Sequence, residues 1–131
     1  MKINNNFELV GHLQVMEEPL SSLYADKGSG VMYIFVRIFE DMNEASFILS
    51  EVSPSVVVDY MDGKIGLKSI FSNHKVYYYI NRNPQFSISD FHPLTNEDAT
   101  NRLSLDGLDD MYDRSLSYRS VPLKQYLKHI V

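Results

Sequence analysis

VMYIFVRIFE, residues 31–40, decides the fold. Met32, Ile34, Val36 and Ile38 fall on one side of a period-two repeat. Tyr33, Phe35, Arg37 and Phe39 fall on the other. Strict alternation rich in β-branched and aromatic residues predicts a strand. Because both sides are apolar, the strand is expected to be covered on both faces. Asp26-Lys27-Gly28-Ser29-Gly30 precedes it as a turn, since glycine reaches the positive φ that tight hairpins need. Glu40 to Glu44 is polar and turns the chain again. Ala45 to Val52, with Phe47 and Leu49 two apart, is the next strand.

Upstream, FELVGHLQV (7–15) alternates as a half-buried strand. Phe7, Leu9, Leu13 and Val15 are expected on one face, and Glu8, Val10, His12 and Gln14 on the other. Gly11 marks a bulge or a close backbone contact. Pro19 is expected to stop this strand, leaving Leu20, Leu23 and Tyr24 to a short second strand or a covering loop. Downstream, Ser53-Pro54 reads as a helix start, with serine capping and proline at the first helical position. Gly63 is its C-terminal stop. Leu67 to Phe71 reads as a second short helix. Lys75 to Asn81 reads as a strand carrying Val76, Tyr78 and Ile80 on one face and Lys75, Tyr77 and Tyr79 on the other. Phe86 to Ile88 is expected to pair back.

At Asp90 the composition changes. Residues 90–113 hold seven acidic residues and one basic residue, Arg102. This segment is expected to be loop-rich and partly mobile. Residues 121–131, VPLKQYLKHIV, place Leu123, Tyr126, Leu127 and Ile130 at helical spacing, a C-terminal helix docked on the domain.

The whole is an α+β single domain spanning 1–131. Its expected architecture is a mostly antiparallel twisted sheet of about five strands, two short inter-strand helices and a C-terminal helix. The expected core is Leu9, Leu13, Met32, Ile34, Val36, Ile38, Phe47, Leu49, Val57, Leu67, Ile70, Val76, Tyr78 and Ile80.

At 131 residues the chain is long enough to bury a core without staples. It has no cysteine, which removes disulfides and zinc sites built on sulfur. A net charge of −5 disfavours binding to phosphate backbones. No secretion signal or membrane-length apolar run is visible, so a cytoplasmic location is expected.

The order of parts, with Pro19, Gly30, Tyr33, Ser53, Gly63, Ile65, Leu67 and Phe71 at its punctuation points, resembles a family of small bacterial domains of unknown function. The resemblance spans residues 7–80. It implies a compact α+β module and brings no catalytic residue with it.

Three constellations bear on function. Tyr33, Phe35, Phe39, Tyr77 and Tyr79, with Arg37 and Lys75 among them, share a side if their strands pair in register. Such a face suits a protein interface or self-association, and equally a second layer buried under the chain's own helices. Base stacking is the weakest of its readings, given the charge. Asp106, Asp109, Asp110 and Asp113 follow i, i+3, i+4, i+7. They read as a solvated acidic surface or a contact for a basic partner, although Gly107 opposes a helix. Asp90 and His92 are two apart, too little for a metal site. No catalytic signature is present, and no metal or cofactor is expected.

The leading expectation is a non-catalytic module that binds a protein partner, in the manner of bacterial immunity proteins or phage-encoded inhibitors of host defence. A homodimer is the alternative assembly. The other functional readings are a small-molecule sensor or sequestering protein, with Arg37 or Lys75 meeting an anion, and a metal-dependent hydrolase using Asp90, His92 and the downstream acids.

Overall fold

A computed structural model describes residues 7–16, 18–40, 45–81, 91–105, 110–113 and 120–130. The elements run β1 (Phe7–Met16), β2 (Glu18–Asp26), β3 (Met32–Glu40), β4 (Ala45–Val52), α1 (Pro54–Met61), α2 (Leu67–Asn73), β5 (Val76–Asn81), β6 (His92–Leu94), α3 (Asn96–Leu105) and α4 (Ser120–His129). The α+β class is as expected. The six strands form one sheet in the order β1-β2-β3-β4-β5-β6, every neighbouring pair antiparallel.

The β2–β3 turn is closed by Asp26. Its carboxylate accepts from the Gly28 N–H at 3.0 Å and the Ser29 hydroxyl at 3.0 Å. Gly30 then takes φ +77°, the left-handed conformation that glycine reaches without penalty. In register, Ile34 of β3 stands beside Leu23 of β2 and Ser50 of β4, and Val36 beside Ile48. The even positions of β3 therefore join one main core.

All four helices feed that core. Val57, Tyr60 and Met61 of α1, Leu67, Ile70 and Phe71 of α2, Ala99 and Leu103 of α3, and Leu123 and Leu127 of α4 are buried in one cluster with the aliphatic face of the sheet. The start and stop of α1 are those the sequence predicts. The Ser53 hydroxyl accepts from the Val56 N–H at 3.3 Å, and Pro54 opens the helix. Gly63 at φ +76° ends it, with its N–H donating to Tyr60 and that of Lys64 to Asp59. Valines are mediocre helix formers, but Val57 and Val58 are buried here, and packing overrides propensity.

Several expectations are corrected. Among the described residues the sheet has six strands, not about five: β2 is a full nine-residue strand, and β6 adds a further strand beside β5. Pro19 does not end the strand region. It is the second residue of β2, where the missing N–H is tolerated. The alternation of β1 fails because its pairing to β2 slips at Leu9/Gly11, His12/Gln14 and Gln14/Val15. Leu13 is buried as expected, but Leu9 is 43% exposed and lies outside the core. Phe47 and Leu49 pack on the opposite face of the sheet from the main core. Residues 90–113 are not merely loop: they supply β6 and the ten-residue α3. Phe86 to Ile88 lie outside the described residues, as do the side chains of Phe39 and Ile80.

Candidate functional site

The aromatic face exists, and the protein largely consumes it. Pairing brings Tyr24 beside Tyr33, Phe35 beside Leu49, Leu49 beside Tyr77 and Phe47 beside Tyr79. Tyr33 is 5% exposed, Phe35 4% and Tyr79 2%, in a second small core with Leu49. As folded, these three side chains do not offer a contact surface. Tyr77 is half-buried at the rim, Arg37 is half-buried and Lys75 is exposed. Nor do the described helices bury this layer, since they pack on the other face. Tyr78 packs against the main core, as expected.

Among the described residues it is Phe91, not one of the expected site residues, that packs over the aromatic face. In the β5–β6 pairing, Pro93 stands opposite Tyr77, so Phe91 continues the side carrying Tyr79. Its ring centroid lies 5.8 Å from Tyr33, 5.8 Å from Phe35, 5.9 Å from Tyr77 and 5.6 Å from Tyr79. Three of these contacts are edge-to-face, the arrangement favoured by ring quadrupoles. Burial, followed by the nearby charge of Glu51, pushes the Tyr33 phenol up to about 12. Burial also raises Tyr24 and Tyr77. The raised phenols stay neutral at ordinary pH, and the rings pack as a second small core.

Of the acidic run, Asp110 and Asp113 are described, while Asp106 and Asp109 lie outside the described residues. Asp110 and Asp113 do not share a helical face. Each ties the run to a different part of the domain. Asp110 caps α2 from 42 residues away: its carboxylate accepts from the Lys68 N–H at 2.7 Å and its carbonyl from the Leu67 N–H at 2.8 Å. Gly66, at the N-cap position, has no side chain to do this. A Cβ there would overlap the Asp110 carboxylate and displace it from the cap. Asp113 is gripped through its backbone. Buried Gln14 accepts from the Asp113 N–H at 2.9 Å and donates to the Asp113 carbonyl at 2.9 Å. Between them, Tyr112 meets Tyr60 of α1 edge-to-face at 5.3 Å.

The histidine candidate gathers little. His92 is exposed on β6 and Asp90 lies outside the described residues. Among the described residues no group of three or more His, Cys, Asp or Glu side chains is placed to hold a metal ion. His12 Nδ1 is 2.7 Å from the Ser22 hydroxyl, and His74 Nδ1 is 2.8 Å from the Ile70 carbonyl at the end of α2.

A different surface emerges at the β1 side of the sheet. Leu123 of α4 lies so close over Gly11 that a Cβ there would meet both its methyl carbons at 3.2 Å. The glycine is thus a site of close helix approach as well as of a register shift, and this seats α4 on β1. Beside that contact runs a groove of about 350 Å³ lined by Leu9, Val10, Gly11, His12, Pro122, Leu123 and Tyr126. Leu9 and Tyr126, on its two walls, are large apolar side chains at 43% and 49% exposure. Ile130, one helical turn beyond Tyr126, is exposed as well. The opposite wall of α4 is cationic. Lys124 hydrogen-bonds Asp62, and this, with Lys128 and Lys64 nearby, holds the Asp62 carboxyl below its usual range.

Among the described residues, both sheet edges are poor templates for an added strand. β1 is irregular at three places, and β6 has three residues with a proline in the middle. The groove therefore suits an inserted side chain better than a paired backbone. No helix among the described residues is long and apolar enough to cross a membrane. No protein-family model, curated protein or solved structure matches the chain.

Proposed function

We propose that this chain is a non-catalytic protein-binding module. It acts by occluding or tethering a partner, as immunity proteins and inhibitors of host defence do. The supporting observation is the β1–α4 groove, where Leu9 and Tyr126 expose apolar area on facing walls. Tyrosine is enriched among the residues that dominate interface energetics, and a half-exposed ring beside a cleft is a favourable anchor.

Native mass spectrometry of the tagged chain captured from a bacterial lysate tests this, run beside a Leu9→Ser, Tyr126→Ser variant. Both side chains are exposed, so circular dichroism and thermal unfolding should barely change. A stoichiometric protein bound to the native chain and lost from the folded variant is the expected result. Equal retention by the variant removes the groove from the reading. A bare chain in both samples counts against protein binding altogether.

A further inference from the structure

The charge around the β1–α4 groove has one net sign, and that sign specifies an occupant. We propose that the partner is an acidic polypeptide segment, which sets an apolar side chain between Leu9 and Tyr126 and carries its carboxylates across α4 to Lys128. The inference rests on the groove being a protein-binding site and adds the chemistry of what enters it.

On the β1 side, Lys27 and Glu8 are 3.3 Å apart, so that rim is matched internally. On the other side, α4 carries Lys124 and Lys128 and no acidic residue. Lys124 bonds Asp62, and Lys128 and Lys64 also act on that carboxylate, so three lysines converge on it. The neighbouring α1 adds Asp59, which leaves three lysines against two carboxylates in a chain whose net charge is −5. Lys64 and Lys128 are exposed. Between these lysines and the groove lies the outer face of α4, where Gln125 and His129 are exposed as well. A helix is about 10–12 Å wide with its side chains, and an extended chain advances about 3.3 Å per residue. The apolar anchor and the carboxylates are therefore about three to four residues apart in the partner. Other occupants meet obstacles. A second copy on a two-fold axis would set this cationic flank against itself. A membrane surface would take up the apolar stripe of α4, but Leu123 and Leu127 are buried in the domain, and the net charge opposes an anionic surface.

Peptide selection on the full chain tests it. Random peptides of about twelve residues are displayed, selected on the immobilised native chain and depleted on the folded Leu9→Ser, Tyr126→Ser variant. The retained peptides should hold one aromatic or large aliphatic residue with Asp or Glu about three to four positions away. A synthetic copy of one should bind about tenfold more weakly to Lys128→Glu, with Lys128→Gln in between, and several-fold more weakly to the native chain as salt rises from about 50 to about 300 mM. Lys128 is exposed, so both variants should keep the native circular dichroism. Groove-dependent peptides that are basic or neutral, or that ignore Lys128→Glu, overturn the acidic partner and leave the groove reading standing. If no peptide separates the native chain from the groove variant, the groove reading fails and the inference with it. Lys128-dependent sedimentation with phosphatidylserine-rich vesicles, or a dimer lost in the groove variant, overturns it in favour of a membrane or a second copy.

Discussion

Removing the Asp110 side chain should loosen α2 through one identifiable bond. The carboxylate accepts the Lys68 N–H at 2.7 Å, the task of an N-cap side chain, performed here by a residue distant in sequence. Loss of an N-cap costs about 0.5–2 kcal/mol, and a negative charge at a helix start adds about 0.3–1 kcal/mol when exposed. Asp110→Ala should therefore cost about 1.5 kcal/mol, because the Leu67 N–H keeps its backbone acceptor. For a chain of this size that is a fall in Tm of about 4–8 °C. Asp110→Asn keeps an acceptor of nearly equal capping strength and should recover most of the loss. Gly66→Ala should cost about as much as Asp110→Ala, since its Cβ displaces the same carboxylate. The decisive test is the double-mutant cycle, by urea unfolding. If both single changes break one bond, the double variant should cost little more than either, with a coupling of about 1 kcal/mol. Additivity within about 0.3 kcal/mol, or an Asn variant as unstable as Ala, would show that Asp110 does not cap α2.

Two further predictions concern the interior. Gln14→Ala should cost about 1–3 kcal/mol, because it strands the Asp113 N–H and carbonyl. Gln14→Glu should cost more, since a carboxylate cannot donate to the Leu13 and Asp113 carbonyls; chemical unfolding orders the two. Alkali should act through Tyr33. Its folded phenol is raised to about 12 from the ordinary 10.0, so its contribution is intact below pH 10. Between pH 10 and 12 the unfolded chain ionises first and stability falls. Tyr33→Phe should flatten that part of the urea-midpoint profile, and an unchanged slope would remove Tyr33 as its cause.

Local chemistry was enough for the elements whose signals lie side by side. β3 was legible because its alternation is unbroken over residues 32–39. α1 was legible because Ser53, Pro54 and Gly63 carry its start and stop within eleven residues of sequence. α3 was missed although a signal existed. Thr95 caps it by accepting from the Asp98 N–H at 3.1 Å, and Ala99 and Leu103 supply a buried stripe. The surrounding acidic residues hid that short pattern. β1 was misassigned in part because register shifts cannot be read from one strand without its partner.

The sequence by itself determined an antiparallel α+β domain with one aliphatic and one aromatic sheet face, because side-chain period is a property of neighbouring residues. Tyr33, Phe35, Tyr77 and Tyr79 of its aromatic set do share one side, but period alone does not say what lies above a face. Only the tertiary structure placed Phe91 there, turned Asp110 into the cap of a helix 42 residues away, and joined Gln14 to Asp113 across 99 positions. It also left Leu9 and Tyr126 uncovered on either side of a groove, by seating Leu123 against Gly11. These outcomes depend on which surfaces meet in space, and residues that meet at such separations leave no periodicity in the chain.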